Sequence, residues 1–179
     1  MHLMYGSFCI KNDIEKSIIF LKKSRSLNII MKKSYIKRRK DNMNKKIALM
    51  HSKKLAKVDY AYAGHTPSGM DLFFMAGACP IDKNGEVPDQ SNYELQAKLC
   101  VENLKIALKE CGANLEDVAY TRVLVASDEQ SDLVSAWETI RAEFGQHDVP
   151  SILFGVTVLG YANQLVEIEA VAALSPNKV

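Results

Sequence analysis

The segment QLVEIEAVAAL, residues 164 to 174, has the apolar alternation of a core strand yet carries Glu167 and Glu169. On a strand, side chains alternate faces, so Val166, Ile168 and Ala170 point one way while Leu165, Glu167, Glu169 and Val171 point the other. The two carboxylates then share a face, roughly 6 to 7 Å apart at two residues of rise. A half-solvated strand accounts for such a pair. So does a concave site that needs a general acid or base, and both readings stay open at this point.

Other chemistry-bearing residues are scattered. Cys9, Cys79, Cys100 and Cys111 show neither CxxC nor Cys/His metal-ligand spacing, and they read as reduced thiols of a cytoplasmic protein. There is no Ser/His/Asp order, phosphate loop, dinucleotide fingerprint or metal cluster in the sequence, so neither a metal nor a cofactor is expected. His65 reads as a solvent-facing loop residue, and His147 as a helix-end residue beside the dipole.

The elements that would position these groups begin near Lys57. Residues 59–64 and 71–78 read as strands around the turn-rich HTPSG. Ser91 and Glu94 form a capping-box pattern, and Ala97, Cys100, Val101, Leu104, Leu108 and Cys111 follow at helical spacing until Gly112. Residues 119–127 alternate as a strand, and Leu133, Ala136, Trp137, Ile140 and Phe144 mark a second helix ended by Gly145. Strands 151–159 and 164–173 close the domain. The fold class is therefore α+β, a mixed sheet of about six strands with two helices on one face. Strands as apolar as LFFMAGA and ILFGVTVL imply that the second face is also covered, most economically by further copies of the chain, with sites at the seams.

The chain has 179 residues, 47% hydrophobic and 25% charged, with a net charge of +2. That small net value hides a division. Residues 1–57 carry 16 Lys and Arg against three acids, a net of +13, while the remainder carries 7 against 18, a net of −11. Residues 1–50 read as a basic extension without an independent fold, disordered or partly helical, and residues 51–179 as the working domain. Methionines at 43 and 50 are alternative starts for the functional chain. No apolar run reaches the ~18 residues of a membrane span. An acidic domain is a poor binder of polyanions, so only the basic extension offers nucleic acid a partner.

The stretches FMAGACPIDKNGEVP, YELQAKLCVENLKIALKECGANLEDV, VPSILFGVTVLG and LVEIEAVA, in that order, resemble the RidA/YjgF family, also called L-PSP endoribonucleases or reactive-intermediate deaminases. The match runs from about Tyr60 to Leu174 and leaves residues 1–50 without a counterpart. The resemblance implies a homotrimer with three intersubunit clefts that hydrolyse enamines and imines, an arginine that clamps the substrate carboxylate, and a last-strand glutamate that positions water. Glu167 occupies that glutamate's position and is the catalytic candidate. Tyr62 matches the family's aromatic residue, and the backbone near Gly77 and Cys79 is placed to receive an anion. Three positions depart from the pattern: Ile152 stands in place of the arginine, Ala76 in place of a serine, and Trp137 in place of an asparagine. The expected cleft is thus lined by Tyr62, Gly77, Cys79, Trp137, Ile152 and Phe154 and takes a small, more neutral or apolar molecule. Single-stranded RNA cleavage and non-catalytic ligand binding are the alternatives.

Overall fold

The computed structural model describes residues 28–34, 36–37, 46–87 and 92–175. The chain divides into two units, residues 1–43 and 44–179. In the first, residues 28–34 are helical and exposed. The remainder of the basic extension up to residue 45, apart from residues 36–37, lies outside the described residues. No described helix is long and apolar enough to cross a membrane.

The second unit is α+β. Its strands are β1 (Ala48–Met50), β2 (Ala63–His65), β3 (Asp71–Phe74), β4 (Val118–Ala126), β5 (Ser151–Val156) and β6 (Val166–Leu174). Its helices are α1 (Tyr93–Glu110) and α2 (Gln130–Phe144). The strands do not form one sheet, as their number suggested. They divide into an antiparallel β1-β2 pair and a four-stranded mixed sheet in the order β3-β6-β4-β5. The reason lies in register: β2 exchanges its hydrogen bonds with β1, Ala48 facing His65 and Met50 facing Ala63, instead of pairing with β3. Residues 48–50 therefore belong with the second unit, which begins at residue 44, ahead of the division expected after residue 50. His65, expected in a loop, ends β2.

Helix α1 begins one residue later than the Ser91 pattern suggested. Asn92 is the N-cap, its side chain accepting from the Leu95 amide at 2.9 Å. Gly112 lies beyond the helix with φ of +77°, a left-handed conformation that glycine adopts without strain. Ala97, Cys100, Val101, Leu104 and Leu108 fall at i, i+3, i+4, i+7 and i+11 and form one buried stripe. On α2 the corresponding stripe is Ala136, Ile140 and Phe144. Both stripes pack on the sheet face formed by Val123 and Val125 of β4 and by Val166, Ile168, Ala170 and Ala172 of β6. This is the core, and it covers one side of the sheet.

On the other side, Phe74 is 78% exposed, Ile152 42% and Phe154 44%. Strands β4 and β5 run parallel, Arg122 facing Ile152 and Leu124 facing Phe154. Strands β4 and β6 run antiparallel, Leu124 facing Glu167 and Arg122 facing Glu169. Two rows therefore cross the open face: Phe154, Leu124 and Glu167 in one, and Ile152, Arg122 and Glu169 in the next.

Leu104, fully buried beneath the sheet, tests this core. Leu104→Ala should lower the unfolding free energy by about 2–5 kcal/mol in urea titration. A loss below ~1 kcal/mol would mean that the α1 stripe does not pack as described.

Candidate active site around Glu167

Glu167 sits on an interior strand, and three local features hold it there. After β3, the Met75 and Ala78 amides donate to the carbonyls of Ala170 and Ile168 at 2.9 and 2.8 Å, so the chain continues along β6 past its last paired residue. This path carries Gly77 directly over the Glu167 side chain. A β-carbon at 77 would overlap Glu167 Oε1 and come within 2.6 Å of its carboxyl carbon, so the close approach requires glycine. Asn103 of α1 then pins the next turn, donating through Nδ2 to the carbonyls of Cys79 and Ile81 at 2.8 and 2.9 Å.

The approach to β6 is pinned as well. Gln96 of α1 is fully buried; its Oε1 accepts from the Leu165 amide at 2.7 Å and its Nε2 donates to the Asn163 carbonyl at 3.0 Å. Asn163 itself has φ of +62°, a conformation that Asn tolerates better than most residues. Gln164, also buried, donates through Nε2 to Glu167 Oε2 at 3.0 Å. Since β6 alternates faces, fixing residues 163–165 fixes which side receives the carboxylate.

Cys79 Sγ lies 3.4 Å from Glu167 Oε2, with the thiol as donor. Burial, and next the Glu167 charge and hydrogen bond, push the thiol pKa up to about 11; Gln164 opposes the rise. The group is therefore a protonated thiol near neutrality and a poor nucleophile. Burial pushes the Cys100 thiol up further. Cys79, Cys100 and Cys111 are free thiols; Cys9 lies outside the described residues.

The second carboxylate has a different fate. Glu169 accepts from Arg122 NH1 at 2.6 Å across the β4–β6 pair, and the Arg122 guanidinium carbon lies 6.0 Å from the centre of the Tyr120 ring. A cavity of about 240 Å³ opens beside this pair, lined by Phe74, Tyr120 and Val171 among others. Glu169 is thus an ion-pair partner of a neighbouring strand, and Glu167 is the carboxylate held by neutral donors.

Of the remaining candidates, Phe154 joins Glu167 in one cross-strand row, with Leu124 between them. Ile152 shares the face but lies one row along and two strands away, about 10 Å across the sheet. Tyr62 and Trp137 do not join the group within one chain. Trp137 is on α2, on the helix-covered side, where it packs against the core and its Nε1 donates to Asp59 Oδ2 at 3.3 Å. Its ring meets Tyr60 edge-on at 6.1 Å, and Tyr60 lies 6.1 Å from Tyr62. The Tyr62 hydroxyl donates to the Ala56 carbonyl at 2.7 Å. Arg141 braces this aromatic cluster through the Asp59 carbonyl at 2.6 Å and through Asp148. His147, expected to face the helix dipole, is bonded through Nε2 to the Val118 carbonyl at 2.7 Å. Among the described residues no group of three or more His, Cys, Asp or Glu side chains is arranged to hold a metal ion.

Comparison with known proteins agrees with this architecture. The family described as endoribonuclease L-PSP matches residues 53–174. A RutC family protein of Pyrococcus abyssi is 32% identical over 103 residues, 57% of this chain and 78% of that protein. Among solved structures, a Rid family protein of unknown function from Yersinia pestis superposes with a TM-score of 0.67 at 25% identity, covering 72% of this chain and 99% of that one. A putative endoribonuclease L-PSP from Entamoeba histolytica gives 0.53 at 26% identity, covering 72% and 100%. A core of this fold, a last strand that presents Glu167 over Gly77, and a match spanning residues 53–174 have one explanation: the chain belongs to the endoribonuclease L-PSP family, the RidA/YjgF group that its motifs resemble.

Proposed function

We propose that the protein is a small-molecule hydrolase of the enamine/imine deaminase type, with a substrate choice altered by Ile152. The observation that carries this reading is the seat of Glu167: a carboxylate with one oxygen over a bare glycine backbone and the other on neutral donors, in one row with the apolar Leu124 and Phe154. In such a place a carboxylate can take a proton from water as the water oxygen adds to the C=N carbon. The protonated carboxyl then returns the proton to nitrogen to give a carbinolamine; the same carboxylate takes the hydroxyl proton and passes it to nitrogen as C=O forms and the C–N bond breaks, so a carbonyl compound and ammonia leave. Backbone N–H groups near Gly77 and Cys79 would receive developing negative charge on the substrate.

The cleft of this proposal lies between copies of the chain in a homotrimer. Phe74, Ile152 and Phe154 leave a large apolar surface in solvent when the chain is alone. Trp137 stands on the helix-covered side of the sheet, opposite Glu167, and Tyr62 is linked to it through Tyr60, so in this reading another copy brings the aromatic cluster to Glu167. At position 152, isoleucine in place of a guanidinium removes charged hydrogen bonds worth about 1.5–3 kcal/mol each, which disfavours carboxylate-bearing substrates. Ribonuclease action, which the family description names, is opposed by the net −11 of residues 58–179.

Glu167→Gln should lower imine hydrolysis by about 10²–10⁴-fold while the chain still melts cooperatively. Unchanged turnover would remove Glu167 from the chemistry. Ile152→Arg should shift preference toward carboxylate-bearing imines by about tenfold or more in kcat/KM; no change in relative preference would mean that residue 152 does not face the substrate. Gly77→Ala should push the Glu167 side chain from its seat and cost about 1–3 kcal/mol of stability. A crystal structure of this variant with Glu167 unmoved would contradict the packing argument.

A further inference from the structure

The two oxygens of Glu167 are treated unequally. A carboxylate offers two oxygens and about four lone-pair directions. Both hydrogen bonds that the structure gives it go to Oε2, from Gln164 Nε2 at 3.0 Å and from Cys79 Sγ at 3.4 Å. Oε1 lies over Gly77, where no side chain intervenes.

The amide donor is not free to turn away, whereas the thiol, the closer of whose two acceptors is Glu167 Oε2, also has the Gly77 carbonyl 3.6 Å from Sγ. Gln164 is 4% exposed and its amide is fully engaged: Nε2 also donates to the Val166 carbonyl at 3.2 Å, and Oε1 accepts from the Tyr161 amide at 3.0 Å. The amide orientation is therefore set by the loop before β6 and cannot flip without orphaning a buried amide. Cys79 is held through its carbonyl by Asn103, and its thiol keeps its proton well above neutrality, so it remains a donor. The two groups approach from different elements, the β3–α1 connection and the β5–β6 connection. Together they determine the rotation of the carboxyl group about its last bond, which one donor would leave free.

We propose that Gln164 and Cys79 are positioning residues that tie down Glu167 Oε2 and leave Oε1 as the oxygen that handles the reacting proton. The catalytic half of this statement rests on the hydrolase reading above, whereas the clamp itself stands on the geometry. A base with one tethered and one open oxygen presents its basic lone pair in one direction, and misorientation of a catalytic group carries a large penalty in rate.

Four variants of the full chain test it, with kinetics on an imine panel and iodoacetamide alkylation of Cys79 followed by mass spectrometry across pH. Gln164→Met, close in volume but without a donor, should lower kcat about tenfold with KM little changed. Cys79→Ala should also lower kcat, and Cys79→Ser, which restores a donor, should recover most of that loss. Alkylation reports on the clamp without any turnover. Glu167→Gln removes the neighbouring anion and should let Cys79 react at lower pH, whereas Gln164→Met removes a donor that favours the thiolate and should raise the pH required. If the unmodified protein hydrolyses no imine but alkylation shifts in these opposite directions, the clamp stands and the hydrolase reading falls. If imines are hydrolysed yet Gln164→Met matches the unmodified protein in kcat and alkylation, or Cys79→Ser is no better than Cys79→Ala, the clamp is overturned.

Discussion

The alternation of β6 inside the four-stranded sheet is the constraint on which the rest depends. With β3 on one side and β4 on the other, this strand cannot rotate or slip by one residue without moving Val166, Ile168, Ala170 and Ala172 out from under the helices. The same constraint fixes Glu167 and Glu169 on the open face. Burial on one side thus determines where the acids stand on the other. The buried amides of Gln96 and Gln164 reinforce this at the entry to the strand, because a shift would leave their polar atoms without partners.

Two identical side chains on one face then acquire different chemistry from their neighbours. Glu169 faces Arg122 and forms an ion pair. Glu167 faces Leu124, and its polar partners come instead from the connections that flank the sheet: the thiol of Cys79, the amide of Gln164 and the space left by Gly77. A carboxylate in an ion pair gains little from reacting with a substrate, since it would have to surrender its partner. One held by neutral donors keeps an oxygen free. Its own row across the open face is apolar through Leu124 and Phe154, and Ile152, in the neighbouring row with Arg122 and Glu169, is apolar at the position where the family resemblance implies a cation.

Much of this was legible in the sequence. Periodicity marked both helices and their glycine ends at 112 and 145, because an apolar stripe and a left-handed cap leave direct signals. Alternation in residues 166–171 placed Glu167 and Glu169 together, and the motifs around Gly77 and Glu167 pointed to the family. The pairing of β2 with β1 was not legible, since Ala48–Met50 is three residues long inside a basic stretch and carries no period. Nor was the start of α1: Ser91 and Asn92 are both good caps, and only the observed bond to Leu95 distinguishes them. Gln164, Asn103 and Arg122 passed unnoticed as site residues for a common reason. Each acts through a partner far away in the chain, and a single buried amide or a charge on a half-exposed strand has no pattern of its own. Ile152 and Glu167 were expected to line one pocket, yet a whole strand, with Arg122 and Leu124, stands between them in the chain.

The account requires that Glu167 of one copy and the aromatic cluster of another meet in the same cleft. Mixing subunits tests this directly: chains carrying Glu167→Gln and chains carrying Trp137→Leu, each expected to be inactive alone, are dissociated together and reassembled. Recovery of imine hydrolysis in the mixture, absent from either variant reassembled alone, is the predicted result, because some seams then join an intact glutamate to an intact tryptophan. A mixed assembly of confirmed composition that stays inactive would contradict the shared site.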